Sequence, residues 1–178
     1  MAELSLDSME NAEHWLRTCR LRDVRRAWQN LTQLREALGQ ERFSELLDPL
    51  WRFLPRYPDP DMALNNLERF LANKAALAHL ELLLDGVAKR LETLLQIFSP
   101  SQYFSELLIQ HPEYLEMLWV PLQRTPQRRE LVEQLQAEVD AAFEDSALLR
   151  AFRRYRERQL LRIGTNDIIR ERPLEEIT

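Results

Sequence analysis

Glycine is scarce in this chain of 178 residues, which has only three, at positions 39, 86 and 164. A glycine-rich phosphate-binding loop needs several glycines close together, and none lie close together here. Tight β-hairpin turns also depend on glycine, because their central residues adopt positive φ angles. The scarcity of glycine therefore argues against a phosphate loop and against a sheet with many hairpins.

Cysteine is almost absent, and long apolar runs are missing as well. Cys19 is the single cysteine, so no disulfide can form within the chain, as is usual in a reducing cytoplasm. No apolar run approaches the roughly 20 residues that a membrane span needs. Residues 1–15 are acidic and polar, unlike a signal peptide. These absences predict a soluble, cytoplasmic protein with no membrane partner.

Few residues suggest a catalytic or metal-binding site. His14, His79 and His111 are far apart in the sequence and lack the spacing of a helical metal pair. Asp59-Pro60-Asp61 has the D-x-D form with which nucleotidyltransferases hold magnesium. Its central proline and the absence of a nearby glycine favour a turn whose second aspartate caps a helix. We therefore predict no catalytic, cofactor-binding or metal-binding residue in this chain.

Helical periodicity runs through nearly all of the chain. Apolar residues recur at three- and four-residue spacing, and typical capping residues separate the segments. Asp23 and Gly39 bound one predicted helix, and residues 87–98 form another. The pattern predicts an all-α fold, a multi-helix bundle of about eight to ten short and medium helices.

Prolines divide the chain further. Three dipeptides pair a capping residue with a proline and so predict helix starts: Ser99-Pro100, His111-Pro112 and Thr125-Pro126. The prolines between residues 55 and 60 mark the clearest break. We therefore predict N-terminal helices in residues 1–57 and a helical core in residues 58–172 that ends in an arginine-rich helix.

That last helix differs in charge from the rest of the chain. Residues 150–172 hold eight arginines against three acidic residues, a balance of 8 − 3 = +5 in a chain with a net charge of −5. Such asymmetry can mark an anionic partner, but more often indicates a solvated or self-complementary surface. Because the chain as a whole is acidic, we do not expect nucleic-acid binding.

A helical wheel of this segment gives an apolar arc of Leu148, Leu149, Phe152, Tyr155, Leu160 and Ile163. Arg156 falls near the centre of that arc. Since an unpaired buried charge is costly, we predict that Arg156 has a carboxylate or carbonyl partner. The alternative is that its long side chain reaches the surface. The pattern also predicts that one core contains Leu131, Leu135, Val139, Phe152 and Ile163.

Residues 149–178 resemble the segment that leads into the first catalytic domain of glutamine synthetase adenylyltransferases. In that family, L-R-R-F-R-R-x-x-x-L-R-I is followed by a short helical D-L-L and by L-E-E-x-T. The matching residues are Phe152, Arg153, Arg154, Tyr155, Arg156, Leu161, Arg162, Ile163, Asp167, Ile168, Leu174, Glu175, Glu176 and Thr178. The stretch 99–119 also resembles a family pattern. Gly164-Thr165-Asn166 departs from the family, which usually has larger helix formers there, so we expect a weakened helix.

The resemblance implies the non-catalytic, helical N-terminal part of a bifunctional bacterial transferase. The parent enzyme would add AMP to a tyrosine of glutamine synthetase and remove it, in nitrogen metabolism. Its partners would be glutamine synthetase and the PII signalling protein, and its absent catalytic domains would bind ATP and magnesium. The chain alone is expected to be inactive. The alternative is a free-standing all-α protein-interaction module.

The resemblance also suggests how the chain meets its own catalytic domain. Residues 173–178 are expected to begin a helix that leads to that domain. Arg153, Arg156, Arg162 and Asp167 are the candidates for structural contacts or for docking of the domain.

Overall fold

The computed structural model describes residues 9–78, 87–119, 127–140 and 145–169. Within these ranges the chain forms ten α-helices and two 3₁₀ turns and no strand, which confirms the predicted fold class and the number of helices. The helices are α1 (Met9–Thr18), α2 (Val24–Leu38), α3 (Gln40–Phe53), α4 (Pro60–Ala72), α5 (Lys74–Ala78), α6 (Val87–Phe98), α7 (Gln102–Gln110), α8 (Leu115–Trp119), α9 (Arg128–Asp140) and α10 (Asp145–Ile169). The 3₁₀ turns are Leu54–Arg56 and Pro112–Tyr114. None of the described helices is both long and apolar enough to cross a membrane.

Local capping chemistry sets the ends of α2. The Asp23 side chain accepts a hydrogen bond of 2.9 Å from the backbone N–H of Arg26, which satisfies one of the free donors of the first turn. Gly39 ends α2 and precedes α3 with a φ of 78°, a conformation that side chains with a Cβ rarely adopt. Both predicted boundaries are confirmed, and α6 has the bounds expected from the sequence.

The predicted helix start at Ser99-Pro100 is wrong. Ser101 caps α7 instead, with its hydroxyl accepting from the N–H of Phe104 at 3.3 Å. The Ser99 hydroxyl accepts a hydrogen bond of 2.8 Å from the N–H of Asp59, on a segment 40 residues away in sequence. Ser99 is therefore occupied by a tertiary contact that its local sequence does not reveal.

The other two proline dipeptides have different outcomes. His111 ends α7, and Pro112 begins a short 3₁₀ turn rather than an α-helix. The imidazole Nδ1 of His111 lies 3.0 Å from a carboxylate oxygen of Glu113. The third dipeptide, Thr125-Pro126, lies outside the described residues.

The chain divides into two compact units, Met1–Glu113 and Tyr114–Thr178. In the first unit α2 packs on α4, and both α3 and α4 pack on α6. The predicted boundary between residues 57 and 58 therefore lies inside this unit. The predicted boundary at residue 173 lies outside the described residues.

The first unit has an apolar core that also contains a hydrogen-bonded asparagine. Phe70 and Phe98 are fully buried, and their ring centroids are 5.8 Å apart. Asn66 is also fully buried, and its Nδ2 donates to the carbonyl of Phe98 at 3.1 Å and to Oε1 of Gln102 at 3.2 Å. Because the last carbonyls of a helix have no partner within it, Asn66 stabilises the end of α6.

In the second unit α9 packs on α10. The Tyr155 hydroxyl donates a hydrogen bond of 2.7 Å to the carbonyl of Leu131. On α10 the buried side chains are Ala151, Leu161 and Thr165. The Thr165 hydroxyl donates to the carbonyl of Leu161 at 2.5 Å, and α10 continues through Gly164 to Ile169. The helix is therefore not interrupted where the sequence departs from the family.

The core predicted for this unit is wrong in its main members. Phe152 is 44% exposed and Ile163 is 56% exposed. Leu131, Leu135 and Val139 on α9 are half-buried. Ala151, Leu161 and Thr165 on another side of α10 are buried instead, so Phe152 and Ile163 remain in solvent.

Candidate functional site

Three of the four residues predicted to be structural or to dock a domain share one face of α10. At about 100° per residue, Arg153, Arg156 and Asp167 fall within an arc of about 60°. All three side chains are exposed. Arg162 is half-buried and lies on the side of α10 that carries Ala151. Three of these residues thus lie on one face of α10, and the fourth lies on another.

Large apolar side chains lie on the same face as the three charged residues. Leu149 is 71% exposed, and Phe152 and Ile163 are also exposed. Leu160 is half-buried at the middle of this arc. The outer face of α10, as we call it, consists of Leu149, Phe152, Arg153, Arg156, Leu160, Ile163 and Asp167. An exposed face that mixes large apolar and charged residues is typical of a protein-interaction surface.

Arg156 is part of this outer face and is exposed to solvent. The prediction that it points into a buried apolar seam is therefore wrong, and the alternative of a surface position holds. Arg156 is exposed because α10 packs through the side that carries Ala151 and Tyr155. The side that carries Phe152 and Arg156 faces the solvent. Its docking role stays a prediction.

One charged contact on α10 was missed by the sequence analysis. The guanidinium of Arg158 forms an ion pair with the carboxylate of Glu138 on α9, and both side chains are about one-quarter exposed. The two residues are 20 positions apart and on different helices. No local pattern could have paired them, because such a pairing depends on how α9 packs on α10.

The Asp59-Pro60-Asp61 segment has a structural role in the first unit. Oδ1 of Asp59 accepts a hydrogen bond of 2.9 Å from the backbone N–H of Met62, so the first aspartate caps α4. The sequence predicted that the second aspartate would do so. Pro60 occupies the first helical position, where its missing N–H costs nothing, which moves the cap to the residue before it.

Asp61 instead connects two helices. Its carboxylate accepts from the N–H of Arg22 at 2.9 Å and from the N–H of Asp23 at 3.1 Å, at the start of α2. A carboxylate near a helix N-terminus is favoured both by these donors and by the helix dipole. Both aspartates therefore bind backbone amides, and these bonds stabilise the start of α4 and its contact with α2.

We expect Asp61→Ala to lower the free energy of unfolding by about 1–3 kcal/mol, because two backbone donors lose a charged acceptor. Asp59→Ala should cost about 0.5–2 kcal/mol, the usual loss of a helix cap. Urea denaturation gives both values.

Magnesium chloride should stabilise the wild-type chain no more than it stabilises the Asp59→Ala/Asp61→Ala double variant. Selective stabilisation of the wild type by magnesium would show that the two aspartates bind the ion.

A pocket of about 240 Å³ lies beside Asp61, between α2 and α4. It is lined by Leu21, Asp23, Arg26, Ala27, Asn30, Asp61, Met62, Leu64 and Asn65. The guanidinium of Arg26 donates to Oδ1 of Asn65 at 3.1 Å through one nitrogen and at 3.3 Å through another. The charged groups of the wall thus already bind other parts of the protein, and they hold α2 against α4.

The remaining reactive groups in the described part of the chain are not grouped into a site. Among the residues that the structure describes, no three His, Cys, Asp or Glu side chains lie together as a metal site requires. Cys19 is 5% exposed, and burial raises the pKa of its thiol to about 12. At neutral pH this side chain is a protonated thiol and a poor nucleophile.

Part of the chain matches a known protein family. A family model described as glutamate-ammonia ligase adenylyltransferase matches residues 91–178. The matched range starts in α6 and includes the whole of α10, with all four of the predicted docking residues. No curated protein and no solved structure matches the chain.

Proposed function

Because residues 91–178 match a family model described as glutamate-ammonia ligase adenylyltransferase, we propose that this chain is the non-catalytic, helical N-terminal part of such an enzyme. In this proposal the parent protein adds AMP to a tyrosine of glutamine synthetase and removes it. The observation that carries the proposal is the family match over the arginine-rich helix α10. The proposed non-catalytic role is supported by Asp59 and Asp61, because both carboxylates accept hydrogen bonds from backbone amides.

The role of the segment is to position the first nucleotidyltransferase domain of the parent protein. ATP and magnesium bind to the catalytic domains, and glutamine synthetase and the PII signalling protein are partners of the parent protein in the cytoplasm. Arg162 is the proposed structural member of the four predicted residues, since its side chain is half-buried. Arg153, Arg156 and Asp167 are available on the outer face for contacts with other surfaces.

The 178-residue chain alone is expected neither to transfer AMP to glutamine synthetase nor to remove it. It should also show no binding of ATP with magnesium tighter than about millimolar in a calorimetric titration, a limit equivalent to about −4 kcal/mol. The physical reason is that its carboxylate pair already binds the protein backbone. A heat signal that saturates at micromolar ATP would contradict the proposed non-catalytic role.

A free-standing interaction module is the second candidate, and the exposure of Leu149, Phe152 and Ile163 favours it. The two candidate functions predict different sequences downstream of Thr178 in the same gene. A strand with the pattern G-S-x-x-D-x-D downstream of Thr178 is expected if the chain belongs to the enzyme. A stop codon at that point would favour the module.

A further inference from the structure

The outer face of α10 has a symmetry that docking on another domain does not require. Leu160 lies at its middle, with Arg153 seven residues before it and Asp167 seven residues after it. Both charged side chains are exposed and point to the same side of the helix as Leu160. The face therefore presents a cation at one end and an anion at the other, equally far from an apolar centre.

Such an arrangement is complementary to itself when two copies of the helix run antiparallel. If the two Leu160 side chains meet at a two-fold axis, each Arg153 lies opposite Asp167 of the second copy. With a rise of about 1.5 Å per residue, each of these ion pairs lies about 10 Å from the axis. A two-fold contact repeats each pair, so that one complementary arrangement gives two ion pairs.

The apolar and long side chains of the face fit the same arrangement. Ile163 lies three residues from Leu160 on the same face, so the two residues of each copy form a continuous apolar centre about the axis. In this register Arg156 lies opposite Gly164 of the second copy, which has no side chain to obstruct the guanidinium. Phe152 then lies beyond Arg156 and covers the outer part of the contact.

We propose that the outer face of α10 binds a second copy of this chain as an antiparallel helix pair. The inference is independent of the proposed function, because it rests on the exposed residues of α10 and their spacing. The helix has 25 residues and is about 37 Å long. A contact between two such helices is at the small end of specific interfaces, so the dimer is weak and forms at high protein concentration.

Charge reversal tests the proposed pairing. Analytical ultracentrifugation of the wild-type chain over a wide range of concentrations should give a mass that rises towards twice that of the monomer. Arg153→Asp and Asp167→Arg should each remain monomeric, since each places two like charges opposite each other in the dimer. An equimolar mixture of these two variants should dimerise again, because every reversed residue then meets an opposite charge. The double variant Arg153→Asp/Asp167→Arg should also dimerise.

Arg154→Asp is the matched control. Arg154 is exposed on α10 but lies outside the outer face, and its reversal changes the net charge as much as that of Arg153. This variant should dimerise like the wild type, and circular dichroism should show equal helix content in all variants. A wild-type chain that stays monomeric at every concentration would overturn the proposal and leave the face to another occupant, such as the catalytic domain. A dimer that persists in both single variants, or a mixture that fails to associate, would overturn it as well.

Discussion

Replacement of Phe98 by alanine is expected to lower the free energy of unfolding by about 3–5 kcal/mol. Phe98 is fully buried at the end of α6, and its ring packs against that of Phe70. Truncation removes both the transfer free energy of the ring and its contacts with the walls of the cavity that remains. Urea denaturation followed by circular dichroism measures the loss.

The chain contains its own control for this substitution. Phe152→Ala makes the same chemical change at a side chain that is 44% exposed. Because that ring is already partly in water, its loss should cost less than about 1 kcal/mol, as is usual for surface substitutions. Equal losses in the two variants would mean that Phe152 is buried in solution, for example by another molecule.

Asn66→Asp is expected to cost at least about 3 kcal/mol at neutral pH, the loss typical of an uncompensated buried charge. Asn66 is fully buried, and its Nδ2 donates to the carbonyl of Phe98 and to Oε1 of Gln102. The aspartate would replace that donor with a second acceptor facing two oxygens. Burial would raise the pKa of the new carboxyl, so the loss should shrink as the pH falls and the group becomes protonated.

The neighbouring asparagine is the control for this prediction. Asn65 is only half-buried, and its Oδ1 accepts from the guanidinium of Arg26. Asn65→Asp therefore keeps the acceptor and adds a charge opposite an arginine, which should leave the free energy of unfolding unchanged or raise it slightly. Thermal and urea denaturation of the two variants, side by side, separate the effect of burial from that of the added charge.

Helix positions could be predicted where local chemistry decides them. Asp23 caps α2 by a bond to an amide three residues away, and Gly39 provides a backbone conformation that other residues avoid. Both signals lie within the segment that they control. The same reasoning failed at Ser99, because its hydroxyl binds Asp59 from a distant part of the chain.

The orientation of α10 shows what periodicity leaves open. Apolarity alone would bury the side of Phe152 and Ile163, yet the helix packs through the side of Ala151, Tyr155 and Thr165. The small residues among these allow close approach, and Tyr155 finds a carbonyl on α9. Both conditions depend on the partner helix, so the outer face could not be recognised from the spacing of residues along α10.

The burial of Cys19 has a practical consequence for spectroscopy. Maleimide and iodoacetamide reagents react with the thiolate, and this thiol has a pKa raised to about 12 by burial. The native cysteine can therefore stay in place while a label is attached elsewhere, for example through Ser146→Cys at an exposed position near the start of α10. A fluorophore or spin label at that position would report the separation between the α10 helices of two molecules, without alteration of the core around Cys19.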